Sequence, residues 1–487
     1  MERREEPDMN RQMIRYILGL VILILGGLLL LPLGVDLIYG EGTWRYFLMV
    51  CAGCAVVGTP MILVKPKRRS MFPKEGFVIA ALTWIIISCI GALPFWISGQ
   101  IPRYLDALFE TVSGFTTTGS SILTQVESLS HGMLFWRSFT HWVGGMGVLV
   151  FMLALLPAIG GSAIHILRAE SPGPSVEKVV PKMRDSAKLT YCVYMVLTVI
   201  LIGLYLAGDM PVFDAVCIAF GTAGTGGFGV RASSCAEYSG YIQTVTTIFM
   251  ALFGVNFSFY FLILRKKFRQ AFRLSEVRVY FLIILGAIVA ITLDIYRQMP
   301  SVGSALHHAA FSVSSVITTT GYCTEDFNLW PIFSRMILCF LMICGACAGS
   351  TGGGMKVSRL VILSKYAGNE LKKLVHPRAV NVVEMDGRAV PRETVNGVLV
   401  FTVFYVFLAL ASMLLVSLDN LDSSTTITAV LATLNNIGPG MSMVGPTGSF
   451  AGLSDLSKIV LSLDMLFGRL EIFPLLVLVT PSTWAKR

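Results

Sequence analysis

Ser113-Gly114-Phe115-Thr116-Thr117-Thr118-Gly119 decides how the rest of this chain is read, because the stretch recurs three more times in altered form. Written back from their closing glycines, the copies end Thr116-Thr117-Thr118-Gly119, Gly224-Thr225-Gly226-Gly227, Thr318-Thr319-Thr320-Gly321 and Asn435-Asn436-Ile437-Gly438. Small hydroxyl, amide and glycine residues dominate all four. The glycines stand 108, 94 and 117 residues apart. Such intervals are too long for a solenoid repeat and suit a helix, a re-entrant segment and a second helix. One module thus occurs four times.

Aligned on these glycines, the position thirteen residues upstream holds Asp106, Asp214, His308 and Thr425. Carboxylates and hydroxyls are residue types that cap helix starts, so a short helix is expected to begin there. Six residues upstream stand Ser113, Gly221, Ser315 and Ala432, all small enough for close packing. A short helix capped on the outside would aim its partly negative C-terminus at the centre, which favours a cation. A cation crossing hydrocarbon needs oxygens to replace its hydration shell, and a ring of backbone carbonyls supplies them. Glycine permits the positive φ and the close backbone approach that such a ring demands. Ordinary small-residue helix contacts are common in membranes, but they have no reason to recur at one place between two spans in four modules.

Composition sets the frame. In 487 residues, 54% are hydrophobic and only 14% charged, with a mean hydropathy of +0.72, which excludes an ordinary soluble protein. The net charge of +9 does not call for nucleic acid, because the basic residues fall in short loops where they set membrane orientation. Ile14 to Leu31 and Tyr46 to Val64 read as a hairpin of two spans. Arg3, Arg4, Arg11 and Arg15 precede it, Lys65, Lys67, Arg68 and Arg69 follow it, and Asp36 and Glu41 lie in its turn. Met1 to Asn10 is polar and the run after it is long enough to stay as a span, so no cleaved leader is expected.

The expected architecture is an all-α polytopic membrane protein with about ten spans and both termini cytoplasmic. Residues 1–70 form the N-terminal hairpin, and the modules occupy 71–186, 187–275, 276–392 and 393–487, in pseudo-four-fold arrangement around one pore. First spans are expected near Gly76 to Ser98, Leu189 to Leu206, Val279 to Leu293 and Val398 to Leu418. Second spans are expected near Phe135 to Ala158, Thr244 to Leu264, from Pro331, and Ile459 to Leu478. The inside loops then gather Arg168, Lys178, Lys182, Arg184, Arg265, Lys266, Lys267, Arg269, Lys356, Arg359, Lys365, Lys372, Lys373 and Arg378.

Cys347-Ala348-Gly349-Ser350-Thr351-Gly352-Gly353-Gly354-Met355-Lys356 interrupts the second span of module three. It resembles a phosphate loop, but Lys356 does not directly follow the closing glycine and no Ser or Thr comes next, so no nucleotide site is expected. A run this rich in glycine does not sustain a helix and reads as a mobile loop lining the cavity beneath the carbonyl ring. Arg469, in the interior of the last expected span, is costly at that depth and by default functional. It reads as a pore-facing barrier to cations, with a structural ion pair to Asp464 or another module as the bland alternative.

Other chemistry is thin. Cys51/Cys54 and Cys344/Cys347 have two-residue spacing but lie in apolar runs, where cysteine packs as a small hydrophobe. Cys235 and Cys323 fall in expected outside loops, and nothing in the sequence pairs them. The six histidines, His131, His141, His165, His307, His308 and His376, show no metal-ligand spacing. His141 reads as a helix-packing residue.

On these residues the chain resembles the Trk/Ktr/HKT superfamily of potassium transporters, most closely the TrkH/TrkG branch, over nearly its whole length. The features that carry the resemblance are the four closing glycines, the break at Gly349 to Gly354, the stretch Met465 to Glu471 and the N-terminal hairpin. The resemblance implies a channel-like fold, usually a homodimer with one pore per protomer, in the bacterial cytoplasmic membrane. It implies potassium as substrate, bound at filter residues Thr116, Thr117, Thr118, Gly119, Gly224, Thr225, Gly226, Gly227, Thr318, Thr319, Thr320, Gly321, Asn435, Asn436, Ile437 and Gly438. Gly349, Ser350, Thr351, Gly352, Gly353, Gly354 and Arg469 would form the gate. A cytosolic regulatory ring of TrkA type, binding NAD or ATP/ADP, would dock on the inner face, so the nucleotide belongs to the partner and not to this chain. Plant relatives that favour sodium carry serine at the first filter glycine, and Gly119 therefore points to potassium. The fourth stretch departs most from the pattern, so the ring is not four-fold exact.

Three readings compete. The leading one is passive or weakly coupled potassium permeation under control of a cytosolic partner. The second is a potassium–proton or potassium–sodium symporter working by alternating access, although tandem modules of one orientation favour a pore over the inverted repeats of many carriers. The third is a membrane-embedded redox enzyme using the two cysteine pairs.

Overall fold

The computed structural model describes residues 9–67, 71–147, 183–378 and 381–484. The described chain is helical apart from a two-stranded hairpin. Asn10 caps the first helix by accepting the Met13 N–H. Helices α1 (Arg11–Leu28) and α2 (Leu30–Tyr39) rise together, and α3 (Trp44–Leu63) returns against them. Asp36, expected in the turn, lies within α2, fully buried, and accepts hydrogen bonds from the Thr43 hydroxyl and the Trp44 N–H across the turn.

Each module then runs long helix, short helix and a further helix, which is divided in modules two, three and four. The first uses α4 (Pro73–Gly91) with α5 (Leu93–Ile97), then α6 (Tyr104–Phe115) and α7 (His131–Gly145). The second uses α8 (Met183–Ala207), α9 (Val212–Gly224), and α10 (Gly240–Phe253) with α11 (Phe257–Leu264), followed by the short α12 (Phe268–Ala271). The third uses α13 (Ser275–Ile295), α14 (Val302–Ile317), and α15 (Ile332–Cys344) with α16 (Val357–Val375). A hairpin of β1 (Glu384–Met385) and β2 (Arg388–Ala389) precedes the fourth, made of α17 (Arg392–Val416), α18 (Ser423–Leu434), and α19 (Asp455–Arg469) with α20 (Phe473–Val479). A last turn, α21 (Pro481–Trp484), ends the described chain.

Among the described residues, six helical stretches are long and apolar enough to cross a bilayer: Arg11–Tyr39, Trp44–Leu63, Pro73–Ile97, Lys188–Ala207, Ser275–Ile295 and Arg392–Asp419. Their outward faces expose large apolar side chains such as Leu282, Phe407 and Leu414, as a surface bathed in hydrocarbon requires. The short helices α6, α9, α14 and α18 are buried along most of their length among the modules.

The structure corrects two expectations about the second spans. Thr244 to Leu264 is not one helix, because α10 and α11 meet at a 93° bend. Gly254 ends α10, and the Asn256 side chain caps α11 by accepting the Ser258 N–H at 2.8 Å. Ile459 to Leu478 is likewise divided, since Glu471 and Ile472 adopt left-handed φ values of 56° and 69°, which no α-helix accommodates. Arg469 is therefore the last residue of α19 and lies at a break, not inside a continuous span. Interruption of the second span is thus common to modules two, three and four. The span expected at Phe135 to Ala158 lies within the described residues only as far as Gly147. Arg3, Arg4, Arg68, Arg69, His165, Arg168, Lys178 and Lys182 lie outside them.

The expected helix starts also shift. The capping positions are Arg103, Pro211, Ser301 and Asp422. Asp106, Asp214 and Thr425 fall within the first turn, and His308 lies mid-helix. Ser301 and Asp422 do cap with their side chains, accepting the Ser304 and Thr425 N–H groups at 3.1 and 3.0 Å. Acidic residues in the first turn still complement the positive helix end, but two of them have specific partners. Asp106 accepts from Lys458 Nζ at 2.7 Å, and Asp214 from the Tyr238 hydroxyl at 2.8 Å.

Candidate functional site

Each short helix ends in the same backbone device. The N–H of the residue before the closing glycine returns to the carbonyl of the small residue noted in the alignment: Thr118 to Ser113 at 2.9 Å, and Gly226 to Gly221, Thr320 to Ser315 and Ile437 to Ala432 at 2.8 Å. The N–H one residue earlier bonds the carbonyl three back, at 3.1 Å in all four: Thr117 to Gly114, Thr225 to Thr222, Thr319 to Val316 and Asn436 to Thr433. To close these turns, Thr117, Thr225, Thr319 and Asn436 take φ values of 56°, 54°, 60° and 55°. Left-handed backbone is unfavourable for threonine, which is β-branched. Strain of this kind persists where the surroundings hold it, and it concentrates at functional sites.

The closing glycines follow, again left-handed, with φ of 85° at Gly119, 80° at Gly227, 85° at Gly321 and 103° at Gly438. Their neighbours show how the loops meet. A Cβ on Gly119 would fall on the Gly226 carbonyl oxygen, one on Gly227 on that of Thr320, and one on Gly321 on that of Ile437. A Cβ on Gly438 would stand 2.9 Å from the carbonyl oxygen of Thr118, which returns to the first loop. Loop one touches two, two touches three, three touches four and four touches one. The ring closes on backbone carbonyls.

Hydrogen bonds stitch adjacent loops together. Ser120 donates to the Gly438 carbonyl at 2.9 Å, and Asn436 Nδ2 to Thr118 Oγ1 at 2.9 Å. Tyr322 donates to the carbonyls of Ile218 and Phe228 at 3.2 and 3.1 Å. In loops one and three the outer threonines pair through their hydroxyls, Thr116 with Thr118 at 2.8 Å and Thr318 with Thr320 at 2.7 Å. Loop two has glycine at both equivalent positions, and His141 explains why. A Cβ on Gly224 would strike the His141 carbonyl, and one on Gly226 its imidazole ring. The ring, fully buried, has Nδ1 2.7 Å from the Gly114 carbonyl. His141 is thus the packing residue that shapes the second loop.

Beneath the ring lies the glycine break between α15 and α16. Gly353 N–H donates to Thr319 Oγ1 at 2.6 Å. A Cβ on Gly352 would come within 2.8 Å of the Thr318 carbonyl, and one on Gly353 would strike that of Asn435. The segment is therefore pressed against the undersides of loops three and four. It is also tied to module two, with Phe257 N–H on the Gly349 carbonyl and Cys347 N–H on the Gly254 carbonyl, both at 3.0 Å. Lys356, buried, turns back to the Gly352 carbonyl.

Arg469 completes this layer from the fourth module. Its guanidinium donates to Thr117 Oγ1 at 3.3 Å, the Thr351 carbonyl at 3.0 Å, the Gly145 carbonyl at 2.8 Å and the Gly144 carbonyl. It thus spans loop one, the glycine break and the end of α7. Asp464 accepts from Ser412 at 2.7 Å, and Glu471 pairs with Arg359 at 2.6 Å.

On the opposite side of the ring, a buried pair escaped the sequence reading. Arg137 Nε bonds Glu110 Oε1 at 2.6 Å, and Glu110 also accepts from Ser121 at 2.9 Å and the Ile122 N–H at 3.0 Å. Arg137 donates further to the Gly229 carbonyl at 2.9 Å and stacks over Phe228 at 3.5 Å. The pair props the segments that follow the first and second closing glycines. A charge within each apolar segment was the signal available for both.

The cysteines form no cluster with the ring. Cys51 Sγ donates to the Gly26 carbonyl at 3.2 Å, joining α3 to α1. Cys344 and Cys347 are buried free thiols at the glycine break. Cys235 and Cys323 come together through the backbone, N–H to carbonyl at 3.0 Å, and both are free thiols.

Comparison with known proteins agrees on one family. The TrkH family, described as cation transport protein, matches residues 47–486. A Trk system potassium uptake protein, TrkH of Salmonella typhimurium, is 37% identical over 98% of this chain and 100% of its own length. TrkG of Escherichia coli, also a Trk system potassium uptake protein, is 30% identical over 97% of this chain and 98% of its own. The crystal structure of the potassium transporter TrkH from Vibrio parahaemolyticus matches with a TM-score of 0.88 at 32% identity, covering 98% of this chain and all of that one.

Proposed function

Because the chain belongs to the TrkH family of cation transport proteins, we propose that it takes up potassium through the ring of four glycine-closed loops. The observation that carries this reading is the cyclic contact of each glycine with the next loop's carbonyl. A ring of carbonyl dipoles replaces the hydration shell of a cation without a charged side chain. The potassium-binding residues are the sixteen named in the four stretches, acting mainly through their main-chain oxygens.

In this reading the segment Gly349, Ser350, Thr351, Gly352, Gly353 and Gly354 is the gate. Its packing under Thr318, Thr319 and Asn435 supports a closed conformation. Arg469 adds positive charge directly beneath the ring and raises the barrier to cations there. Permeation is channel-like, and the five segments 1–70, 71–186, 187–275, 276–392 and 393–487 act as hairpin and four pore modules.

The protein works as one component of a Trk system in the cytoplasmic membrane, with both termini inside. It forms a homodimer, and a cytosolic ring of TrkA type, carrying the nucleotide, docks on its inner face. Supporting a docking face, the far half of α16 leaves Leu371, Leu374 and Val375 at 65%, 80% and 72% exposure.

Purified protein in liposomes, with reversal potentials measured under separate potassium, sodium and pH gradients, tests this. The expected result is a potential that follows potassium alone. A shift with pH or sodium at fixed potassium overturns the uncoupled reading in favour of symport. Replacing Cys51, Cys54, Cys344 and Cys347 together by Ala is expected to leave rubidium uptake intact, and loss of uptake in folded protein would revive the redox reading.

A further inference from the structure

Both ends of the glycine break are held by one side chain. Glu276, the second residue of α13, is 5% exposed. Its Oε1 accepts the Ala348 N–H at 2.6 Å and the Ser358 N–H at 3.1 Å. Ala348 stands just before the glycine run, and Ser358 lies in the first turn of α16 after it. One carboxylate oxygen therefore pins the two shores of the loop to each other and to the first helix of the same module.

Such bonds are charge-assisted and stronger than those between neutral groups. A carboxylate buried at this depth is tolerated only when it is bonded in this way. If the loop swings out from beneath the ring, Glu276 loses the Ala348 and Ser358 N–H groups, keeps only the Asn256 side chain as a partner and stays buried. Opening therefore costs more with Glu276 in place than it would for the same loop tethered by neutral groups.

The residue before Glu276 is gripped from outside the helix layer. Ser275 N–H donates to Asp386 Oδ1 at 2.6 Å. Asp386 and Gly387 form the two-residue turn of the β1–β2 hairpin, with φ of 54° and 74°, as a tight antiparallel turn requires. Lys365 of α16 also reaches this hairpin, donating to the Glu384 carbonyl at 2.7 Å. Adjacent residues of α13 thus hold the buried loop on one side and an exposed hairpin on the other.

From this we infer that Glu276 is the positioning residue that latches the glycine loop beneath the carbonyl ring, and that displacement of the 384–389 hairpin loosens the latch through Ser275. The inference rests on the reading of that loop as a gate. Rubidium flux through full-length protein in liposomes, without any partner, tests it. Glu276→Ala is expected to raise basal flux at least about tenfold, the factor one lost charge-assisted hydrogen bond supplies. Glu276→Gln keeps a carbonyl acceptor of the same shape and is expected to give a flux between wild type and alanine. Asp386→Ala is expected to raise flux by a smaller factor. Potassium-over-sodium selectivity stays at the wild-type value in all three, because the ring is untouched.

Deletion of Gly352 to Gly354 separates the two layers of the argument. If deletion raises flux and Glu276→Ala does not, the latch is wrong and the gate stands. If neither raises flux, the gate reading fails. A collapse of selectivity in Glu276→Ala would reveal a general structural role and overturn the latch. Should the alanine variant fail to fold, amide exchange in Glu276→Gln decides: faster exchange at Ala348 and Ser358 with raised flux supports the latch, and wild-type values of both overturn it.

Discussion

The first and fourth loops share a backbone and hardly any side chains. Thr117 and Asn436 have φ of 56° and 55°, and each loop makes the same pair of returning hydrogen bonds. Loop one is braced internally by the Thr116–Thr118 hydroxyl pair. Loop four is braced outward: Asn435 Nδ2 bonds the Tyr405 hydroxyl at 2.9 Å and the Leu431 carbonyl at 2.8 Å, and Asn436 Nδ2 bonds Thr118 Oγ1 and the Met465 carbonyl, both at 2.9 Å. Asparagine also enters the left-handed region more readily than threonine. The repeated object is a main-chain path, and side chains diverge as long as something anchors its strained residue.

Substituting the closing glycines strains this comparison hardest. Gly119→Ser sets a Cβ against the Gly226 carbonyl at a left-handed residue. Overpacking and backbone strain together reach about 3 kcal/mol, so potassium-over-sodium permeability is expected to fall by about a hundredfold in reversal-potential measurements. Unchanged selectivity would remove the ring from the permeation path. Gly438→Ser meets looser surroundings, with the nearest oxygen 2.9 Å from the added Cβ. A fall of only about tenfold is expected there. Equal losses at both positions would show that loop four is as demanding as loop one.

Arg469 bears on the underside of loop one through Thr117. Arg469→Ala is expected to raise basal rubidium flux about fivefold, by removing both a charge and its bond to the Thr351 carbonyl. Flux at or below wild type in folded protein would exclude the barrier role. The smallest effect concerns anchoring. Asn436→Ala forfeits two buried hydrogen bonds and is expected to cost about 1–3 kcal/mol, read as a lowered unfolding midpoint in detergent. Asn436→Thr, which restores the residue type of loop one, is expected to recover less than half of that loss, because a threonine hydroxyl does not reach both acceptors.

Much of this is legible in the sequence. Hydropathy and the four glycines marked the modules, and the small residues six positions upstream turned out to supply the carbonyls that close each turn. Side-chain capping was less legible, since Asp106 and Asp214 look like caps until Lys458 and Tyr238 appear as their partners. Breaks in the second spans were hidden for a different reason. Asn256, Glu471 and Ile472 sit in runs apolar enough to pass for helix, and only tertiary contacts select the bent backbone. The glycines of loop two looked like degeneration of the threonine pattern, whereas they make room for His141, more than eighty residues earlier in the chain.

Three bonds between the first and last modules have one sequence offset. Arg103 meets Asp455, Asp106 meets Lys458 and Thr117 meets Arg469, each 352 residues apart. A constant offset means that α6 and α19 lie side by side, pointing the same way and in fixed register. During synthesis, Asp106 is therefore made long before its lysine exists, and the first loop waits for an arginine translated 352 residues after Thr117. The fourth module acts as a keystone. Chains interrupted before residue 455 carry all four closing glycines but lack Asp455, Lys458 and Arg469, so the first loop and its helix lose their partners in α19.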